Sequence, residues 1–252
     1  MFHHIIVNVI GIVLSVVAFG MVDFAAQAAL FERSSEDART SLIELYTSEG
    51  CSSCPPAEAW LGRLKSDPGL WKDFVPVAFH VDYWDNLGWT DRFARKDFTA
   101  RQHDYANAWG ARSVYTPGFV RDGHEWADWR NSSMPARSSA RHGVLHVKET
   151  EPGNFTATFA PADGRTGDLW FSIAALGFDA SSQVNAGENS GRKLMHDFVA
   201  LIFEEKKTAT NEVTFHLSRP EGIQVSRLAL AVWVSRSGEM EPIQSVGGWW
   251  DR

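Results

Sequence analysis

The sequence predicts an α/β domain with an inserted helix, followed by a β-rich, sandwich-like C-terminal region. Three observations predict this fold class. A strand, a helix and a second strand follow one another between residues 41 and 81, which is the order of a parallel βαβ unit. An amphipathic pattern of about twenty residues then indicates an inserted helix. From Gly143 onward, apolar and polar residues alternate with period two between turn-forming clusters, which is typical of sandwich strands.

The composition of the 252 residues excludes several classes of protein. Apolar residues make up 44% and charged residues 22%, which is the balance of a globular chain rather than of a disordered or collagen-like one. The net charge is -7 and no dense run of Lys or Arg occurs, so we expect no nucleic-acid partner. The two cysteines cannot build a disulfide scaffold or a four-thiolate zinc site.

The N-terminal residues 1–28 predict a signal peptide or an N-terminal anchor. Residues 5–20 form an apolar run, and Ala26 and Ala28 are small residues at the spacing that a signal peptidase recognises. The first basic residue is Arg33, so a positive n-region is missing. The apolar stretch is close to the lower length limit for crossing a bilayer, which leaves an uncleaved inner-membrane anchor open. In both cases we expect a periplasmic or secreted protein.

The two cysteines lie at a predicted strand-to-helix turn. Residues 41–46 are rich in strand formers and end in a turn-prone segment. Pro55 suits the first turn of a helix, because its missing N–H has no partner to lose there. Residues 74–81 have the pattern of a buried strand. We therefore expect Cys51 at the N-terminus of the helix and Cys54 one turn further in.

This position favours thiolate chemistry at the cysteine pair. Unpaired backbone donors and the positive end of the helix dipole stabilise a thiolate near a helix start. A Cys-x-x-Cys spacing beside a βαβ unit is typical of redox proteins, so we expect Cys51 to attack and Cys54 to resolve the mixed disulfide. Two alternatives stay open. The pair can be a short structural disulfide, or it can bind a metal with His80 and an aspartate, although the spacing requires no metal and we assign none.

One long helix and one further strand are predicted next. The helix covers residues 90–109, with Thr90 or Asp91 as its cap. Residues 113–123 form a strand that is entered through Pro117 and closed by an Asp-Gly turn.

A Ser-, Pro- and Ala-rich segment at residues 131–139 marks a predicted domain boundary. We expect a first domain over residues 40–139 and a β-rich domain over residues 140–252. Residues 194–207 fit a helix or a strand, and the neighbouring strands favour a strand. The remaining predicted strands are residues 144–148, 155–159, 169–175, 213–217 and 228–234.

A polar and aromatic group follows the second parallel strand. Because α/β sheets place ligand sites at this edge, one interpretation is a rim that binds substrate or tunes the thiol pKa. The plain alternative is a core histidine and tryptophans that pack the inserted helix. Glu58 is four residues after Cys54 on the predicted helix, so its side chain either faces Cys54 or is an ordinary surface glutamate. The group comprises His80, Asp82, Tyr83, Trp84, Asp85 and Trp89.

Three sequence blocks carry a resemblance to a known family. They are residues 45–57 around the cysteines, residues 79–89, and Tyr115-Thr116-Pro117. These blocks resemble the secreted thioredoxin-like family catalogued as domain-of-unknown-function family 1223, and residues 187–192 are similar to its C-terminal half. The resemblance implies an α/β thioredoxin-like domain with an inserted helix, followed by a β-rich (sandwich-like) C-terminal region, in a bacterial and periplasmic setting. It implies no demonstrated reaction.

The resemblance also implies roles for residues outside the cysteine pair. In a thioredoxin-like fold the strand that begins at Thr116 and Pro117 lies opposite the dithiol, the bond between these two residues is cis, and the backbone of Thr116 pairs with the substrate. Such a fold keeps a buried acid near the position of Glu44, where it takes the proton from the resolving thiol. The alternative is a Glu44 side chain that faces solvent at a sheet edge.

These observations lead to one functional hypothesis and one competitor. The first is an exported thiol-disulfide oxidoreductase in which Cys51 and Cys54 cycle between dithiol and disulfide and Pro117 shapes the substrate groove. The competitor is a secreted binding or assembly module with a structural Cys51–Cys54 disulfide. We expect no cofactor, and partners that are protein or small-molecule thiols and disulfides. A membrane is expected as a partner only if the N-terminal segment is uncleaved. The redox direction stays open.

Overall fold

The computed structural model describes residues 1, 30–132, 134 and 140–250, so the predicted signal or anchor segment lies outside the described residues except for Met1. Within these ranges the chain is mostly β-sheet, with two α-helices. The helices are α1 (Pro55–Arg63) and α2 (Lys96–Trp109), and the strands are β1 (Glu32–Ser34), β2 (Ser41–Thr47), β3 (Phe74–His80), β4 (Gly118–Arg121), β5 (His124–Glu125), β6 (Gly143–Glu151), β7 (Asn154–Pro161), β8 (Leu169–Phe178), β9 (Ala180–Gln183), β10 (Lys193–His196), β11 (Val199–Thr208), β12 (Glu212–His216), β13 (Arg227–Arg236) and β14 (Pro242–Trp249).

The first elements form the predicted βαβ unit. Strands β2 and β3 pair in parallel, in register from Ser41 opposite Phe74 to Thr47 opposite His80. Both strands are buried along their whole length, which is why their sequences are almost continuously apolar. Helix α1 connects them and starts with two prolines in its first turn. The unit places the ends of β2 and β3 at the same edge of the sheet.

The parallel pair belongs to a mixed sheet of eight strands in the order β14-β13-β8-β11-β3-β2-β4-β5. Strand β11 joins β3 in parallel at Val199 opposite Ala78, and β8, β13 and β14 follow as antiparallel neighbours. On the other side, β4 and β5 form a hairpin through the predicted Asp-Gly turn. The sheet therefore takes strands from both sides of residue 140.

A second sheet of four strands, in the order β1-β6-β7-β12, covers one face of the C-terminal strands. Alternation along β13 divides its side chains between two cores. Ala229, Ala231 and Trp233 belong to the core that contains both helices and the βαβ unit. Leu228, Leu230, Val232 and Val234 belong to the core shared with the four-stranded sheet. Strand β13 is thus buried on both faces.

The expectation of an α/β thioredoxin-like domain with an inserted helix, followed by a β-rich region, is wrong. Strands dominate the described chain, and the parallel pair is only part of a large mixed sheet. The physical reason is that the edge of β3 pairs with β11, which continues the sheet into antiparallel strands rather than into further βαβ units. Local strand and helix patterns predict the elements, but they carry no information on which strand pairs with β3.

Several element boundaries also differ from the predictions. Helix α2 begins at Lys96 rather than at residue 90, with Arg95 as its N-cap and Gly110 in the left-handed conformation at its end. Residues 31–39, for which no element was predicted, contain β1, which pairs with β6. The ambiguous residues 194–207 form strands, as expected. In the described part of the chain, neither helix combines the length and apolar character needed to cross a membrane.

Candidate functional site

The cysteine pair lies on the turn between β2 and α1. Cys51 and Cys54 form a disulfide, with their Cα atoms 5.4 Å apart, and both side chains are 0% exposed. Cys54 is the N-cap of α1, so Cys51 lies on the preceding turn and not at the helix N-terminus as expected. The hydroxyl of the exposed Ser53 lies 3.3 Å from the Cys51 sulfur. A hydroxyl at this position can donate to a thiolate and stabilise it.

Residues 187–192, which we call the Asn189 loop, hold this turn from the C-terminal half of the chain. The amide of Asn189 is fully buried and donates to the carbonyl oxygens of Glu49, at 2.8 Å, and Cys51, at 2.9 Å. Arg192 donates to the Asn189 side-chain oxygen at 2.7 Å. The Glu188 carboxylate accepts a hydrogen bond from the backbone N–H of Ser52 at 3.0 Å. Hydrogen bonds from Ser52 lower the pKa of Glu188. The loop therefore fixes the backbone on both sides of Cys51.

Trp84 connects the cysteine turn to the Thr116–Pro117 segment. Its indole N–H donates to the Thr116 hydroxyl at 2.8 Å, and the Thr116–Pro117 peptide bond is cis. A methyl group added to Gly50 would lie only 2.9 Å from Cβ of Trp84. The glycine before Cys51 thus lets Trp84 approach the turn. The two predicted parts of the site, the cysteines and the proline segment, share this tryptophan as a common neighbour.

A buried group of histidines and carboxylates lies at the ends of β2 and β3. Nδ1 of His80 lies 2.7 Å from Oδ2 of Asp91, and both side chains are fully buried. Asp91 also accepts hydrogen bonds from the backbone N–H groups of Glu49, at 2.8 Å, and Phe93, at 2.9 Å. Burial raises the pKa of Asp91, but the attraction of His80 outweighs it, so that the pKa lies below its ordinary value. Asp91 therefore joins the cysteine turn to the end of β3 instead of capping a helix.

His196, at the end of β10, completes this group. Its Nδ1 is hydrogen-bonded to Glu58, and its Nε2 lies 3.2 Å from Oε1 of Glu49. Burial opposes the positive charge, but the attraction of Glu58 and the contact with Glu49 prevail and raise the pKa of His196 to about 10. Glu58 also accepts a hydrogen bond from the Thr47 hydroxyl at 2.6 Å. Burial raises the pKa of Glu58, yet the attraction of His196 keeps it below its ordinary value.

We define the buried cluster as Glu49, Glu58, His80, Asp91 and His196. The cluster adjoins the cysteine turn through two of its members. Glu49 is two residues before Cys51, and Glu58 is four residues after Cys54. One potential ligand atom from each of Glu58, His80 and His196 lies within 4.8 Å of the other two. In the described part of the chain, these three residues form the group whose ligand atoms are close enough together to hold a metal ion.

Glu44 lies in a different network from the one expected. It is buried in the middle of the sheet, where Arg101 donates to its two oxygens at 2.8 and 3.1 Å. Tyr105 and Tyr46 donate to the same carboxylate at 2.5 and 2.9 Å. Both carboxylate oxygens are thus engaged in anchoring α2 to β2. This arrangement fits neither of the two alternatives considered for Glu44, a proton acceptor beneath the thiols or a solvent-facing edge residue.

The remaining predicted residues surround the buried cluster. Asp85 accepts a hydrogen bond from the backbone N–H of Asp91 at 3.1 Å, and burial raises the pKa of Asp85. Asp82 accepts one from the Thr99 hydroxyl at 2.6 Å and so fixes the start of α2. Trp89 donates to Oε2 of Glu49 at 2.6 Å. The structure therefore brings His80, Trp84 and Asp85 to the cysteine turn or its buried cluster.

Sequence reasoning missed Glu49, Asp91, Asn189 and His196 as neighbours of the cysteine turn. Asn189 and His196 are more than 130 positions from the residues that they contact, and no local pattern brings them there. Asp91 was predicted to be a helix cap, which is a different role from the one that the structure gives it. The one usable signal is the block at residues 187–192, which is similar to the C-terminal half of the family and carries no assigned role.

Two solved structures share this fold. A crystal structure of an Agrobacterium tumefaciens protein from the Northeast Structural Genomics Consortium matches with a TM-score of 0.56 and 21% identity, over 86% of this chain and 96% of that chain. HBP35 of Porphyromonas gingivalis matches with a TM-score of 0.51 and 12% identity, over 85% of this chain and 76% of that chain. At these identities the likeness concerns the fold alone.

No curated protein matches the sequence. A family model does match it, over residues 42–235, which include both cysteines, the Thr116–Pro117 segment, the Asn189 loop and the whole buried cluster. The chain therefore belongs to the family described as protein of unknown function (DUF1223).

Proposed function

We propose that the protein is an exported thiol-disulfide oxidoreductase that uses Cys51 and Cys54. The observation that carries this proposal is the pairing of the two cysteines on the turn that precedes α1, with the Ser53 hydroxyl 3.3 Å from the Cys51 sulfur. A hydroxyl donor favours a thiolate. Cys51 is the attacking sulfur in this proposal, because it lies outside the helix and carries the hydroxyl neighbour.

The proposed cycle is a two-electron exchange. In the reducing direction the Cys51 thiolate attacks a sulfur of the substrate disulfide, a mixed disulfide forms, and one substrate thiolate leaves. The Cys54 thiolate then attacks the Cys51 sulfur, which releases the second substrate thiolate and leaves the Cys51–Cys54 disulfide. The protein is oxidised and the substrate is reduced, and each released thiolate takes a proton from solvent. The oxidising direction is the same sequence reversed.

Thr116 and Pro117 line the substrate groove in this proposal. The contact that supports it is the hydrogen bond from Trp84 to Thr116, because Trp84 also packs against Gly50 beside Cys51. Trp84 is half-buried, as are Thr116 and Pro117, so a bound peptide has access to this side of the turn. Partners are protein or small-molecule thiols and disulfides.

Turnover requires the cysteine turn to open. Both sulfurs are covered, and the buried amide of Asn189 holds the carbonyl oxygens of Glu49 and Cys51. Release of the Asn189 loop is the step that exposes Cys51 in this proposal. The loop is attached to the turn by hydrogen bonds rather than by a large apolar contact, which suits a reversible opening.

We propose a periplasmic or secreted location for this activity, with an inner-membrane anchor if the N-terminal segment stays uncleaved. The apolar segment before residue 28 supports export. The disulfide is consistent with it, because such bonds persist in oxidising compartments.

Trapping of a mixed disulfide tests the proposal. Purified Cys54→Ser and Cys51→Ser variants are incubated with a model disulfide that carries a mass label, and adducts are read by intact-mass spectrometry. We expect a stable adduct on Cys51 in Cys54→Ser and at least about tenfold less adduct in Cys51→Ser, because only the attacking sulfur forms the intermediate. Equal labelling of the two variants contradicts the assigned order. The absence of any adduct in both contradicts the redox proposal.

A second candidate function is a secreted binding or assembly module with a structural disulfide. Full burial of both cysteines favours it, because a static disulfide needs no access. The two candidates differ in what they require of the Asn189 loop. The oxidoreductase needs the loop to open, whereas a static module does not.

A further inference from the structure

We propose that Glu58, His80 and His196 bind a divalent transition-metal ion of the zinc class behind the cysteine turn. This inference is independent of the redox proposal, because none of the three ligands is a cysteine. Two imidazoles and one carboxylate are a donor set that zinc accepts, with a fourth position left for water or another ligand. The three side chains come from α1, β3 and β10, so the site is assembled by the tertiary fold.

The distances suit this assignment. One ligand atom of each residue lies within 4.8 Å of the other two, and all three residues are buried. Zinc bonds of about 2.0–2.1 Å place tetrahedral ligand atoms about 3.4 Å apart. The set therefore closes around an ion through side-chain shifts of about 1 Å, without a change in the backbone.

His80 supplies a separate indication of a missing ligand. Its Nδ1 is held by Asp91 at 2.7 Å, which leaves Nε2 for another partner. Nε2 is buried and has no hydrogen-bond partner among the described residues. A buried polar atom without a partner is costly. A histidine with one ring nitrogen on a carboxylate and the other free is the arrangement that supports metal ligation in proteins.

The surroundings also favour a cation. Three carboxylates, from Glu49, Glu58 and Asp91, are buried within the cluster beside two histidines. Oε1 of Glu49 lies 3.2 Å from Nε2 of His196 in a poorly aligned contact, and neither atom has a hydrogen-bond partner among the described residues. The ring of Phe93 packs against His80 and His196, with centroids 5.3 and 5.2 Å away, and shields the site from water.

An entry path exists on the side of α1. Glu58 lies on the wall of a surface cavity of about 560 Å³, together with residues of α1 and β10. In this proposal the ion enters past Glu58, and His196 exchanges its hydrogen bond with Glu58 for a bond to the ion.

Zinc titration of the oxidised, chelator-stripped protein tests the site. Isothermal titration calorimetry with Zn²⁺ is expected to give one ion per chain in the wild type and in a Cys51→Ser, Cys54→Ser variant. Glu58→Gln and His80→Gln are expected to weaken binding at least about 100-fold, and Asp91→Asn about 10- to 100-fold, as for other residues that orient a ligand. His103→Gln, an exposed histidine of α2, is the matched control and keeps the wild-type affinity.

A measurement on the wild type alone tests the site even if a variant fails to fold. X-ray absorption of the zinc-loaded oxidised protein is expected to show about two imidazoles and oxygen ligands, with no sulfur. The proposal is overturned if the wild type binds no stoichiometric zinc, if sulfur ligands appear, or if folded His80→Gln binds zinc as tightly as the wild type does.

Discussion

At the scale of single residues, the Asn189 side chain holds the backbone of the turn that carries the disulfide. A fully buried amide that donates to two backbone carbonyls fixes the chain on both sides of Gly50. The Cys51 carbonyl also accepts a backbone hydrogen bond from Cys54 at 3.2 Å, and Asn189 adds a donor to it and to the Glu49 carbonyl. Arg192 in turn holds the orientation of the amide. The backbone around Cys51 is therefore held by a residue far away in the sequence.

Asn189→Ala is expected to speed reduction of the Cys51–Cys54 disulfide at least about tenfold and to destabilise the fold by about 2 kcal/mol. Two hydrogen bonds are lost, one to the Glu49 carbonyl and one to the Cys51 carbonyl, which keeps only the Cys54 N–H, and each costs about 1 kcal/mol. Stopped-flow reduction by dithiothreitol, together with urea unfolding, measures both effects. Ser190→Ala in the same loop removes only an exposed hydrogen bond and serves as the control. An unchanged reduction rate in Asn189→Ala contradicts the proposed opening of the loop.

His196 makes the stability of the metal-free protein depend on pH. Attraction to Glu58 and Glu49, working against burial, raises its pKa to about 10 from an ordinary value of 6.5. A raised pKa means that the folded state holds the proton more tightly than the unfolded state does. The stabilisation is therefore complete below pH 6.5 and is lost as the pH rises through 10. At about 1.36 kcal/mol for each pKa unit, the full effect is about 4–5 kcal/mol.

Urea unfolding in the presence of EDTA, from pH 6.5 to 9, measures this loss. We expect the free energy of unfolding to fall steadily over this range in the wild type and much less in His196→Gln. A wild-type stability that stays constant or rises over the same range contradicts the assigned charge of His196.

At the scale of elements, α2 is anchored to the sheet by a buried ion pair. Arg101 binds Glu44 of β2 with two hydrogen bonds and also reaches Glu205 of β11 at 3.1 Å. The side chains of Arg101 and Glu44 are 8% and 1% exposed, so little solvent screens the pair. Loss of one partner leaves the other charge buried without compensation.

Arg101→Met is expected to destabilise the protein by about 3–5 kcal/mol, because the Glu44 charge remains buried. Arg95→Met on the same helix removes an exposed pair with Asp97 and is expected to cost about 1 kcal/mol or less. The double variant Glu44→Gln, Arg101→Met is expected to recover part of the loss. Thermal and urea unfolding measure all three. Equal stabilities of Arg101→Met and Arg95→Met contradict the anchoring role.

The individual elements follow from the sequence more fully than their arrangement does. Proline in the first turn predicts α1, and alternation predicts most C-terminal strands, because these signals are local. The start of α2 was placed too early, since Asp91 is bound by His80 and is not free to cap a helix. The pairing of β11 with β3 and the contacts of Asn189 and His196 join distant segments, and no local signal encodes them.

At the scale of the whole molecule, one sheet joins the N-terminal and C-terminal halves. β3 and β11 are neighbours in this sheet, and the ring of Trp71, just before β3, packs against Gly247 of β14 so closely that a methyl group there would lie 2.4 Å from it. The core around the βαβ unit includes Trp233 from β13. Trp71 and Trp233 thus both make contacts between the two halves.

We expect this shared sheet to make unfolding cooperative. Guanidinium unfolding followed by far-UV circular dichroism, which reports on the strands, and by tryptophan fluorescence is expected to give one coincident transition. The division into residues 40–139 and 140–252 stays a prediction, and two separated transitions would support it over a single cooperative unit.

The reduction potential of the Cys51–Cys54 pair tests the redox proposal most directly. Equilibration of the purified wild type with glutathione and dithiothreitol buffers, followed by thiol alkylation and intact-mass analysis, gives the value. A cycling pair is expected between about -270 mV and about -120 mV, the range of known disulfide reductases and oxidases. A potential below about -300 mV is that of a structural disulfide and would contradict the proposal.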